Sequence, residues 1–189
     1  MIPKSQWGDG PWQSEPDEAS WIDDATGLPC CAERGFSGAW CGYVGVPCEH
    51  PAFGLPYYVR LDKPPAPVET ATDDMMRRYL EKARDDWEIA RGRHPTQQFI
   101  NHIGVHGGLT FAGDRKANPG LHWFGFDCMH GGDLSPMVDA TVRLVRRRNR
   151  PTSGWHEEYR TLDYVREQCT QLARQLADIA ATVSPVRHR

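Results

Sequence analysis

The sequence predicts an α+β fold: a single domain with a mainly antiparallel β-sheet packed against two amphipathic helices. Three observations carry this. Two short apolar runs flank the glycine-bearing segment Arg34–Gly38, as in a hairpin. Two more strand-like runs, 103–112 and 121–127, bracket the turn-rich GDRKANPG. Two long stretches, 73–91 and 161–182, repeat apolar residues at helical spacing. A chain of 189 residues can bury one sizeable core, and two full domains would be cramped.

In chain order, residues 1–27 read as an extended arm. Trp7, Trp12 and Trp21 dock on the domain, while Glu15, Asp17, Glu18, Asp23 and Asp24 keep the arm solvated. Strands follow near 28–33 and 39–46, where Gly42 and Gly45 allow close approach by a neighbour. Residues 63–95 form a Pro-rich connection and an inserted helix. That helix runs over about 73–91, is capped by Thr72 and ends at Gly92 and Pro95. A short helix near 137–148 closes in the basic run RLVRRRNR. The final helix, 161–182, carries Leu162, Val165, Cys169, Leu172, Leu176, Ile179 and Val183 in a 3-4 repeat. Such a stripe serves either a sheet or a second copy in a homodimer.

Composition removes several function classes. Hydrophobic residues at 39% and charged residues at 25% fit a globular chain. A net charge of −3 argues against bulk nucleic-acid binding. There is no apolar run of membrane-spanning length and no signal-peptide pattern, so the expected setting is the cytoplasm. The six cysteines contain no C-x-x-C pair and read as free thiols. A mixed site of Cys41, Cys48 and His50 is the alternative.

Candidate chemistry concentrates in NHIGVHGGLTFAGDRKANPGLHWFGFDCMHGGDLSP, residues 101–136. It contains two His-Gly-Gly triplets. If its two strands pair, His106 and Asp127 become neighbours, with His130 and Asp133 in the turn beyond. Imidazole beside carboxylate suits general acid–base work, so His106, Asp127, His130 and Asp133 are the candidate catalytic residues. Gly107, Gly108, Gly131 and Gly132 leave backbone N–H groups open to an anion. Arg146 and Arg147 supply guanidinium groups for a phosphate. No metal is assigned.

Several motifs, in order, resemble an uncharacterised protein family encoded by bacteriophages and prophages: WCGYVGV, VHGGLTF and HWFGFDCMHGGDLSP, with the tail YRTLDYVREQCTQLARQL. The resemblance implies a phage or prophage origin and brings no established activity. The insert at 68–92 departs from the family's short connection and suits a private partner contact. HGGDLSP also looks like the metal-binding string of serine/threonine phosphatases, but the partner motifs GDxHG, GDxxDRG and GNHE are missing.

The resulting expectation is an accessory protein with a His/Asp/Gly-lined site for a small phosphate-bearing ligand. A signalling nucleotide, sequestered or hydrolysed in the host cytoplasm, is the natural example. The alternatives are a metal-dependent hydrolase or nuclease using the same residues, and a non-enzymatic module that binds a host protein. The cofactor is unknown.

Overall fold

In a computed structural model, which describes residues 2–146 and 157–183, five strands form one sheet in the order β1-β2-β3-β5-β4. They are β1 (Glu18–Ile22), β2 (Pro29–Arg34), β3 (Trp40–Val46), β4 (Phe111–Asp114) and β5 (His122–Asp127). Every adjacent pair is antiparallel. The helices are α1 (Asp74–Gly92), α2 (His94–Asn101), α3 (Pro136–Arg146) and α4 (Leu162–Val183). This is the expected α+β architecture. No helix among the described residues is long and apolar enough to cross a membrane.

Strand alternation divides the residues between the two faces. Cys30, Ala32, Trp40, Val44, Val46, Phe124 and Phe126 form the main core with the apolar stripe of α4. Val165, Cys169, Leu172, Leu176 and Ile179 are all buried there. The 3-4 stripe is therefore covered by the sheet and is not a free seam for a homodimer. Gly42 makes the fit possible, since a Cβ there would stand 2.5 Å from the Phe126 ring and 2.9 Å from Cys169 Sγ. Trp123 lies on the other face. That face is roofed by Arg115, which grips both Glu33 carboxylate oxygens and stacks 3.8 Å over Tyr43.

Four readings of the sequence need correction. Part of the arm is a strand: β1 forms a sheet edge by pairing along β2. The run 103–112 is mostly loop, and only its end enters β4, because its two consecutive glycines turn the chain at Gly107 and Gly108 (φ +64 and +84). Pro95 lies in the first turn of α2 instead of ending the region; a proline is tolerated there, where no intrahelical N–H bond is lost. Finally, Asp73 rather than Thr72 caps α1, and α1 packs chiefly on α2 and the turn at Val68–Thr70, so it does not cover the sheet.

The arm's acids also have a structural task. Glu15 accepts hydrogen bonds from Arg34 (2.7 Å), the Trp40 indole (3.2 Å) and the Tyr159 hydroxyl, and its other oxygen receives the Leu162 N–H (3.0 Å). It thereby ties the arm to β2, β3 and the first turn of α4. Burial alone would raise the Glu15 carboxyl; these bonds outweigh it and hold the group below its ordinary range. Trp7 and Trp12 form a satellite core with Ala140.

Candidate functional site

Three segments meet at one end of the sheet: the loop after α2, the turn after β5 and the approach to α4. The loop has little regular structure of its own, and α4 holds it by its backbone. The Gln175 amide bonds both the N–H and the carbonyl of Gly104, each at 2.8 Å, and Gln168 Oε1 accepts the His106 N–H at 2.8 Å. These glutamines lie two helical turns apart, beside the buried stripe.

His106 consequently points at Asp133, with Nε2 2.7 Å from Asp133 Oδ2 and Nδ1 2.9 Å from the Tyr164 hydroxyl. Arg160 donates from Nε to Asp133 Oδ1 at 2.9 Å and from a terminal nitrogen to Glu158 at 2.7 Å. The His130 N–H also reaches Asp133 Oδ2, at 3.0 Å. Burial would raise the Asp133 carboxyl, but the bonds from Arg160, His106 and the His130 N–H together hold it below the usual carboxylate range. An ionised Asp133 can only accept, so His106 Nε2 carries a proton toward it.

His130 differs from His106. Its ring sits edge-on to His106 with centroids 5.5 Å apart, and Nδ1 lies 3.8 Å from both Asp127 Oδ1 and Asp133 Oδ2. Shielded from solvent, that nitrogen has no hydrogen-bond partner among the described residues. The His130 ring rests on Gly107, where a Cβ would stand 2.1 Å from Cε1. No atom of the described residues crowds the Cβ positions of Gly108, Gly131 and Gly132, so the two glycine turns leave room around the cluster.

The sequence-derived set is thus brought together in part. His106, His130 and Asp133 converge, and each offers a donor atom within 4.8 Å of the others. Asp127 does not meet His106: it sits at the end of β5, caps the Met129 N–H at 3.0 Å and borders His130 alone. Arg147 and the side chain of Arg146 lie outside the described residues. The mixed cysteine site does not form, because both His50 ring nitrogens are engaged, with the Leu176 carbonyl and the Ala52 N–H.

Arg160, Tyr164 and Gln168 were not read from the sequence as site residues. A signal for two of them was present: Tyr164, Gln168 and Gln175 form a polar stripe at 4-7 spacing beside the apolar one. No family model, curated protein or solved structure matches the chain.

Proposed function

We propose that the His106–His130–Asp133–Arg160 cluster binds a small phosphate-bearing molecule, in an accessory protein of phage or prophage type. The observation carrying this reading is the orphaned His130 Nδ1. A buried polar atom without a partner costs about 1–3 kcal/mol and calls for a specific explanation. A ligand atom at this point supplies the missing bond.

The surroundings favour a phosphate-bearing ligand in two ways. Arg160 is partly exposed, so its guanidinium has a side open to an oxyanion while Asp133 and Glu158 hold it in place. The uncrowded Gly108, Gly131 and Gly132 let a ligand come close to the backbone. His106, bonded to Asp133 and Tyr164, orients the Asp133 carboxylate, while His130 has a ring nitrogen to spare.

The direct test is mass spectrometry of small molecules released by denaturing protein isolated from its native host. The reading expects a phosphate-bearing species at near-stoichiometric amount in the wild type and its loss from His130→Ala. Recovery of the same species from both proteins would refute it.

A further inference from the structure

The charges around the cluster pose a problem for a bare anion. Three carboxylates, Asp127, Asp133 and Glu158, gather there against one guanidinium, Arg160. A phosphate held by Arg160 has these carboxylates as neighbours. A divalent cation reverses that balance.

We propose that His106 Nε2, His130 Nδ1 and Asp133 Oδ2 form a three-ligand site for one divalent transition-metal ion of the zinc class, and that the phosphate-bearing ligand completes its coordination. The second clause rests on the ligand reading above; the first stands without it.

Donor type selects the ion. Two imidazoles and one carboxylate with an open position serve zinc and equally ferrous ions; magnesium and calcium prefer all-oxygen shells. Three protein ligands also leave a coordination position open, as a site that takes an exogenous ligand requires.

The distances already approach such a site. His106 Nε2 stands 2.7 Å and His130 Nδ1 3.8 Å from Asp133 Oδ2. Zinc–ligand bonds of about 2.0–2.2 Å place neighbouring donor atoms roughly 3–3.5 Å apart. The first gap has to open and the second to close, each by less than about 1 Å, and donor atoms of the two imidazoles lie within 4.8 Å of each other. His130 gives up no hydrogen bond from Nδ1 when it binds, since that atom has none.

The outer partners suit this role as well. Tyr164 holds His106 Nδ1, and Arg160 holds Asp133 Oδ1, so each leaves the other donor atom of its residue facing the centre. On metal binding the His106 proton moves from Nε2 to Nδ1, where the Tyr164 oxygen accepts it. The ring remains neutral and keeps a partner on both sides. Gly107 provides the bed on which the His130 ring is aimed at the centre.

The test uses the full chain, stripped with a chelator and titrated calorimetrically with zinc and, separately, with cobalt(II) followed by its visible absorption. The inference expects one ion per chain at micromolar affinity or better, with a tetrahedral-type cobalt band. His130→Ala should keep the wild-type circular dichroism yet bind zinc at least ~100-fold more weakly, and Asp133→Asn should bind more weakly too. Absence of binding below millimolar zinc, or equal binding by His130→Ala, overturns the site. A panel of mono-, di- and cyclic nucleotides is then titrated with and without zinc. A zinc-dependent nucleotide response supports both clauses. Zinc binding without any nucleotide response keeps the metal site and removes the ligand reading. A nucleotide response in the absence of zinc binding does the reverse.

Discussion

Gly107 and the His130 ring share one space: a Cβ on Gly107 would lie 2.1 Å from His130 Cε1 and 2.4 Å from both ring nitrogens. The first His-Gly-Gly triplet thus acts on the second across the site. Gly107→Ala must push His130 off its seat and also adopt a left-handed backbone, at φ +64. The backbone part alone costs about 1–2 kcal/mol. Gly108, at φ +84 with nothing near its Cβ position, is a matched control. In urea unfolding, Gly108→Ala should show the backbone cost alone, and Gly107→Ala should lose more and also lose ligand binding. Equal behaviour of the two would mean that His130 has no fixed seat.

Acid should weaken the fold in two stages. Burial holds His50 and His122 below the ordinary 6.5, although bonds to the Leu176 and Leu55 carbonyls oppose the shift. With a folded value below the unfolded one, the unfolded chain takes up protons first. The stability these rings contribute is complete above 6.5 and declines as the pH falls through the lower folded values. His50 adds a geometric reason: its Nδ1 accepts the Ala52 N–H, which a protonated ring cannot do. Asp133 and Glu15, depressed below 3.8 and 4.5, act in the same direction at lower pH. The urea midpoint should therefore begin to fall between about pH 7 and 5, ahead of the carboxylate stage. A flat midpoint over that interval would show that neither histidine is held neutral.

Glu15 joins the arm to the core through a buried partner, since the Arg34 side chain is only 4% exposed. Removing Glu15 leaves Arg34 with Asp17 (3.0 Å) and strips the Trp40 and Tyr159 donors of their acceptor; breaking a buried pair costs up to about 3–5 kcal/mol. Glu15→Ala should approach that loss in equilibrium unfolding and should free the arm for early proteolysis before β1. Glu18→Ala, an exposed change on the same segment, should do neither.

Leu172 lies fully buried on α4 against the sheet. Leu172→Ala should cost roughly 2–5 kcal/mol through lost burial and the cavity left behind. Because that helix also holds the site loop through Gln168 and Gln175, ligand affinity should fall along with stability. Calorimetric unfolding and ligand titration of the same variant check both.

The sheet hairpin and α4 were legible because their signals are local: β-type runs about a glycine turn, and an apolar stripe with a helical repeat. The convergence of His106, His130 and Asp133 was legible too, since the paired His-Gly-Gly triplets lie on neighbouring segments. Its wiring was not. Asp127 seemed the partner of His106 only if 103–112 were a strand, whereas the loop formed there turns His106 toward Asp133. Arg160 and Tyr164 reach the cluster from a part of the chain more than fifty residues beyond His106. Such long-range contacts leave no periodicity to read. Glu15 shows the same limit: an acid in a polar arm looks solvated until Trp40, Tyr159 and Arg34 close around it.

The central claim, that the cluster around His130 is a ligand site, is tested most directly by thermal unfolding with a panel of mono-, di- and cyclic nucleotides. Wild-type protein and His130→Ala would be compared in the same buffer with zinc present. At 100 times its dissociation constant, a ligand that binds only the folded state adds ~2.7 kcal/mol of stability. The account predicts a raised melting temperature for at least one phosphate-bearing compound in the wild type and none in His130→Ala. A flat panel for the wild type, or an equal rise in both proteins, would contradict it.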